Sequence, residues 1–326
     1  MSRTRRILPT LFFLQTGVVA IFSAPAEGPG VHIGAVNCQT SGCHGGAGDL
    51  SRQHTIWFRA DRHSRAHATL TTARSARMAE ALGMENAATD VRCTSCHAPF
   101  ALVPASQKLA TARPEEGVSC ESCHGASGGW VRSHTRPDYT RAQRVAAGMR
   151  DLEDLYLRSN TCVACHQALA PELIAAGHPR LHFDQAGLSD REPRHWKEIW
   201  SDSQLWAVGQ FAALRELSGH LAQKAAGGAK PTPEELADWE STLALCRLIA
   251  QAAPWGGPSA GLEGQSSPSL DLARAADALA KQGAKAAWKK EWPGAIRGAL
   301  ETAARPAAGP SPALKAKIQT ALHSLE

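Results

Sequence analysis

The C-terminal part of the chain has the hydrophobic periodicity of α-helices. From about residue 196 onward, alanine and leucine recur at helical spacing. The segment Thr232-Pro-Glu-Glu235 has the sequence of a capping box with proline at the first helical position, which marks a helix start. We expect four tryptophans of this part to pack in its core, namely Trp200, Trp206, Trp239 and Trp288. Helices are predicted over residues 201–224, 232–251, 270–281, 286–304 (interrupted at Pro293) and 312–324.

The first half of the chain is patterned differently. Helical periodicity is confined to residues 66–82 and 141–159 and to short stretches around cysteine pairs, and the intervening segments are rich in glycine, serine and proline. No segment shows the sustained alternation expected of a β-strand. The fold is therefore predicted to be mainly α. Little regular structure is expected over residues 27–195, followed by an α-helical bundle over residues 196–326 with a linker at 256–268.

The N-terminus has the features of an export signal. Arg3, Arg5 and Arg6 form a basic start, residues 7–22 are mostly apolar, and Ala24-Pro-Ala26 offers a small-residue cleavage site. An uncleaved membrane anchor is the alternative, but an apolar run of roughly 16 residues is short for a spanning helix. Residues 1–26 are therefore predicted to be a signal peptide. The mature protein is expected to be periplasmic or otherwise exported, with no transmembrane anchor after cleavage.

Eight of the nine cysteines lie in four short motifs that each end in histidine. Three have the form Cys-x-x-Cys-His, and a fourth has two additional residues between its cysteines. This spacing lets two thiols add to the two vinyl groups of one porphyrin, while the following histidine becomes an axial iron ligand. We predict four covalently bound haem c groups. The attachment residues are Cys38 and Cys43, Cys93 and Cys96, Cys120 and Cys123, and Cys162 and Cys165, and the proximal iron ligands are His44, His97, His124 and His166.

Zinc binding and disulfide formation are the alternatives for these cysteine pairs. Zinc sites also use Cys-x-x-Cys pairs, and an exported chain meets conditions that favour disulfides. Neither requires a histidine directly after the second cysteine, and only about 0.01 copies of Cys-x-x-Cys-His are expected by chance in this composition. The ninth cysteine, Cys246, has no partner cysteine and no following histidine. It is predicted to be a buried free thiol on a helix.

Histidine is also the expected second axial ligand. Ten histidines remain outside the four motifs, whereas the chain beyond the predicted signal contains only three methionines. Coordination by two histidines keeps the reduction potential lower than coordination by histidine and methionine. The predicted distal ligands are His63, with His67 as its alternative on the same helical face, His134, His178 and His195.

The charge of the chain does not favour nucleic acid as a partner. The formal net charge is +5, and three arginines of that total belong to the predicted signal. Without these three arginines the net charge falls from +5 to +2. Each ferric haem adds about −1, because two propionates outweigh one net positive iron centre. Four haems therefore bring the net charge to about −2. No run of basic residues follows Arg6.

The motifs and their surroundings resemble the multihaem cytochromes c related to cytochrome c-554. The resemblance spans roughly residues 36–185 and rests on residues 38–45, His63-Ser-Arg-Ala, residues 93–99, 117–125 and Ala176-Gly-His178-Pro. It implies a tetrahaem protein with distal ligands like His63, His134 and His178. The longer first motif departs from the pattern. Relatives that the C-terminal part resembles carry a further haem motif after a Trp-Glu segment. In this chain Trp239-Glu240 is followed only by Cys246, which is interpreted as a relic of a lost fifth haem.

Two functions follow as hypotheses. The favoured one is electron transfer between redox proteins, an electron donor and an electron acceptor, through haems with two histidine ligands. The alternative is an oxidoreductase that acts on a small nitrogen compound, nitrite or hydroxylamine, at a five-coordinate haem. The C-terminal bundle is expected to lean against the last haem and is a candidate docking surface for a partner.

Overall fold

The computed structural model describes residues 30–49, 51–167, 169–255, 261–305 and 309–325. The predicted signal peptide and residues 256–260 of the predicted linker lie outside this part. The described chain is mainly helical, as predicted, and contains no β-strand; its one β-bridge joins His32 and Lys108. Among the described helices, none is both long enough and apolar enough to cross a membrane.

The described residues form fourteen α-helices and six short 3-10 helices. Nine α-helices precede residue 196: α1 Gln53–Ala60, α2 Ala66–Thr69, α3 Ala73–Ala81, α4 Val91–His97, α5 Cys120–His124, α6 Arg141–Ala146, α7 Leu155–His166, α8 Pro171–Ala175 and α9 Gln185–Arg191. Five follow: α10 Asp202–Ala226, α11 Pro233–Ala252, α12 Leu270–Lys285, α13 Trp292–Ala303 and α14 Pro312–Ser324. The 3-10 helices are Ala35–Cys38, Arg62–Arg65, Pro99–Ala101, Ala105–Gln107, Pro114–Glu116 and Ser133–Thr135.

Each Cys-x-x-Cys-His motif forms the end of a helix. Helices α4, α5 and α7 finish at the motif histidines His97, His124 and His166. Asp90 caps α4 and Asp154 caps α7, since each side chain accepts a hydrogen bond from a backbone N–H of the first turn. The longer first motif begins at Cys38, the last residue of a 3-10 helix, and continues through backbone turns.

Two predicted helices of the first half are each divided in two. The stretch 66–82 breaks after Thr69 because the hydroxyls of Thr69, Thr71 and Thr72 donate to carbonyls three residues earlier, and Thr72 then caps α3. The stretch 141–159 breaks after Ala146, where Gly148 adopts a φ of 103° that other residues rarely reach.

The C-terminal helices agree closely with the sequence pattern. Thr232 and Glu235 make both hydrogen bonds of the capping box at the start of α11, and α14 spans the predicted residues. Trp206 and Trp239 are buried, and Trp200 and Trp288 pack against the same core. The exception is α13, which begins at Trp292, so that Pro293 occupies its first turn and does not interrupt a longer helix.

The core of the C-terminal helices includes residues that precede position 196. Leu155 of α7 and Ala186 of α9 belong to the same buried cluster as the side chains of α10, α11 and α12. The buried Arg215 of α10 donates to Asn160 of α7 (2.6 Å) and to Asp277 of α12 (2.8 Å). The helix that ends in the fourth motif is thus part of the bundle. Residues before and after the predicted domain boundary at residue 195 belong to the same core.

Candidate haem-binding site

Three of the four motif histidines face a second histidine from a distant segment. The ring centres of His44 and His134 are 6.0 Å apart, those of His166 and His63 are 6.0 Å apart, and those of His97 and His178 are 6.2 Å apart. In each pair one ring comes from a motif and the other was predicted as a distal ligand from the sequence.

These distances match two imidazoles that share one metal ion. An imidazole nitrogen lies about 2 Å from a bound metal and about 1.2 Å from its own ring centre, so opposed rings have centres about 6.4 Å apart. Direct contact between stacked rings would bring the centres closer. The three pairs therefore have the spacing that a haem iron between two histidines requires.

Five of these six rings have an oxygen atom of the protein beside Nδ1. His44 pairs with the Gln53 side chain at 2.9 Å, and His97 donates to the Ala66 carbonyl at 3.1 Å. His134 and His178 donate to the carbonyls of Val131 and Pro179, at 2.6 and 2.8 Å. A proton held at Nδ1 leaves the Nε2 lone pair free for a metal, which is the usual arrangement around histidine ligands.

His63 is held by carboxylates, whereas the other rings with a described Nδ1 partner contact carbonyl, amide or hydroxyl oxygens. Its Nδ1 lies 3.1 Å from Oδ1 of Asp61 and 4.0 Å from Glu192. The hydrogen bond to Asp61 raises the pKa of His63. His67, its alternative in the sequence, makes no comparable contact with a motif histidine.

His124 and His195 form the least closely associated pair. Both line a cavity of about 630 Å³ that also contains the cysteines of the first and third motifs and His134. No described histidine ring lies against His124 as closely as in the other three pairs. Burial, together with the nearby His195, lowers the pKa of His124 to about 4, so this ring is neutral and able to bind a metal at physiological pH.

The cavity contains a buried polar atom with no partner. The indole Nε1 of Trp130 is enclosed but makes no hydrogen bond, and its ring lies edge-on to His134 at 5.4 Å. Arg141, Arg144 and Arg150 also line the cavity. Such donors fit the propionate groups of a haem, because carboxylates pair with guanidinium and N–H groups.

The geometry does not fit zinc at the motifs. Zinc needs thiolate and imidazole atoms that converge on one point. Among the described residues, the group of donor atoms found within 4.8 Å of one another is Asp61, His63 and Glu192, and no motif contributes both its cysteines and its histidine to such a group. The cysteines are also unpaired by disulfides.

Cysteines of different motifs lie next to each other. The Cys120 thiol is within hydrogen-bonding range of Cys38, and the Cys165 thiol is within range of Cys96. Cys162 is near enough to Cys123 to affect its ionisation. Because burial raises the pKa of Cys123 to about 12 and that of Cys162 to about 11, these sulfurs are protonated in apolar surroundings.

The buried carboxylate of Glu121, inside the third motif, was not singled out from the sequence. It accepts hydrogen bonds from the backbone N–H groups of Ile33, Gly34 and Ser127, and from the Ser127 hydroxyl. This carboxylate joins the N-terminal segment to α5. No sequence pattern distinguishes it from an exposed glutamate, since all but one of its hydrogen bonds come from backbone N–H groups.

Cys246 lies apart from these sites. Its side chain is fully buried on α11, and the thiol donates to the Gln210 carbonyl at 3.4 Å. Burial raises its pKa strongly. This agrees with the prediction of a buried free thiol on a helix.

Comparison with known families supports a c-type cytochrome. The sequence pattern of the family described as cytochrome c554 and c-prime matches residues 35–125, which include the first three motifs. Searches of curated proteins and of solved structures gave no match. The matched family consists of c-type cytochromes, so the match implies covalently bound haem c and suggests redox partners.

Proposed function

We propose that this chain is an exported tetrahaem c-type cytochrome that transfers electrons between redox proteins. The observation that carries the proposal is the pairing of three motif histidines with distant histidines at 6.0 to 6.2 Å. When bound, haem c supplies a one-electron iron centre whose potential depends on its axial ligands and their surroundings.

The proposed ligand sets follow from the pairs. The first haem would be held by Cys38, Cys43 and the rings of His44 and His134, and the second by Cys93, Cys96, His97 and His178. The fourth would be held by Cys162, Cys165, His166 and His63. The third would be attached at Cys120 and Cys123, with His124 as one iron ligand and His195 as the candidate for the other.

The arrangement of the attachment sites supports a role in electron transfer. Cys38 adjoins Cys120, Cys123 is near Cys162, and Cys165 adjoins Cys96. The four attachment sites therefore form a continuous series in the order first, third, fourth, second. The polypeptide fixes the rings through Nδ1 hydrogen bonds and through α7, which the C-terminal bundle holds in place.

Haem content and spin state test the proposal together. A pyridine haemochrome assay and an intact mass should give four haems per chain, and the oxidised protein should give low-spin EPR signals. Rapid reduction by a small donor and rapid reoxidation by an acceptor cytochrome would support the carrier role. A chain with fewer than four covalent haems would refute the tetrahaem proposal.

The third motif gives some support to the alternative function, reduction or oxidation of a small nitrogen compound at a five-coordinate haem. His124 lacks the close ring partner that the other three motif histidines have. A high-spin EPR signal that shifts on addition of nitrite or cyanide would favour this alternative. An entirely low-spin spectrum that becomes partly high-spin in His195→Ala would instead identify His195 as the distal ligand. The control is His182→Ala, a histidine that is exposed and does not line the cavity, and it should leave the spectrum low-spin.

A further inference from the structure

The contact between Asp61 and His63 distinguishes one candidate haem from the others. The Asp61 side chain is only 5% exposed, and its Oδ1 lies 3.1 Å from Nδ1 of His63. Other predicted ligands with a described Nδ1 partner face neutral groups, such as the Gln53 amide beside His44 and the Ala66 carbonyl beside His97. Among the predicted ligands with a described Nδ1 partner, His63 is therefore the one whose ring contacts a formal negative charge.

We infer that Asp61 is a positioning residue that lowers the reduction potential of the haem held by His63 and His166, making it the lowest of the four. The inference rests on the proposed function. Asp61 is not itself a proposed iron ligand, and the haem that it affects is the one that is hardest to reduce.

The physical reason is the change in iron charge on reduction. A carboxylate that accepts the Nδ1 proton increases electron donation from the imidazole and places a negative charge near the iron, so it stabilises the ferric state more than the ferrous state. Burial strengthens this effect because water does not screen the charge. A neutral amide or carbonyl at the same position has a much smaller effect.

Asp61 also has a local structural role, which the test must separate from its effect on the potential. Its Oδ1 accepts a hydrogen bond from the backbone N–H of His63 at 2.9 Å and so caps the 3-10 turn Arg62–Arg65. Asparagine is an equally good capping residue, because its amide oxygen accepts the same bond. Asp61→Asn thus removes the charge and keeps the cap.

The experiment is a redox titration of the holoprotein, followed by absorbance and EPR, for the wild type and Asp61→Asn. We expect the lowest of the four midpoints to rise, with the reduction equilibrium shifted by about 10-fold or more, which is about 59 mV for one electron. The midpoints of the first and second haems should stay in place, and that of the third, whose Cys123 and His195 lie within electrostatic range of Asp61, should rise less than the lowest. As a matched control, Asp154→Asn changes a capping aspartate on the helix that carries the fourth motif and should leave all four midpoints unchanged.

The reciprocal variant gives an independent test. Gln53→Glu places a carboxylate 2.9 Å from Nδ1 of His44 and should lower one midpoint other than the lowest. Superimposable titrations of wild type and Asp61→Asn, or movement of a higher midpoint instead of the lowest, would overturn the inference. Four haems with unchanged titrations would refute only this inference, whereas a chain without four covalent haems would refute the proposed tetrahaem function.

Discussion

The ring planes of His44 and His134 are inclined to each other by only 23°, at a centre-to-centre distance of 6.0 Å. The other two pairs are close to perpendicular, at 89° for His63 with His166 and 76° for His97 with His178. The candidate haem ligands therefore fall into two geometric classes, and this difference has a spectroscopic consequence.

The oxidised protein should show two kinds of low-spin EPR signal. Parallel imidazole planes separate the two iron d orbitals that interact with them, which gives a rhombic spectrum, whereas perpendicular planes leave these orbitals nearly equal in energy and give a strongly anisotropic signal. We expect the first haem to contribute a rhombic signal and the second and fourth to contribute anisotropic ones. The His134→Ala variant should remove the rhombic signal alone; loss of an anisotropic signal would contradict the assignment.

His63 and His67 offer a direct test of distal ligation. Both share one face of a helix in the sequence pattern, but only His63 lies 6.0 Å from a motif histidine. Replacing His63 with alanine should convert one haem from low-spin to high-spin, seen by absorbance and EPR, because the iron loses its sixth ligand. His67→Ala is the matched control and should leave the spectrum unchanged. A spectral change in His67→Ala but not in His63→Ala would identify His67 as the distal ligand instead.

The first motif can be tested by counting haems. The double variant Cys38→Ala, Cys43→Ala should carry one haem fewer than the wild type, since both thioether bonds are lost. Mass spectrometry and a pyridine haemochrome assay measure this directly. Cys246→Ala should keep the full number because its thiol is buried against the Gln210 carbonyl, away from the motifs. An unchanged number in the double variant would show that the longer motif binds no haem.

The buried Arg215 is expected to stabilise the junction between the fourth motif and the bundle. In Arg215→Met, the Asp277 carboxylate and the Asn160 amide lose their buried partner. Removing one member of a buried ion pair costs about 3–5 kcal/mol, so the free energy of unfolding in urea should fall by that order. Arg136→Met, which breaks the exposed pair with Asp138, should leave stability almost unchanged. Equal effects of the two variants would contradict this role of Arg215.

The local elements were largely predictable because their signals are local. The capping box at Thr232 and the helix over Pro312–Ser324 depend on residues within one or two turns, and the structure has both. The prediction was wrong at residues 70–72 and 147–154, where threonine hydroxyls and a glycine end helices that the hydrophobic pattern would continue. Thr72 and Asp154 then cap the start of the next helix. The start of α13 was also misplaced, because Pro293 reads equally as an interruption or as a first-turn residue.

The sequence by itself determined the chemistry of the candidate site. Cysteine pairs followed directly by histidine predict haem attachment through covalent geometry, and this prediction does not depend on where the motifs lie in the fold. Only the tertiary structure decided which histidine faces which motif and that His63, not His67, faces His166. It also decided that a buried carboxylate lies behind His63 and that Arg215 joins α7 to the bundle. These relationships depend on contacts between residues far apart in the chain, and no local pattern of hydrophobic or polar positions encodes such distances.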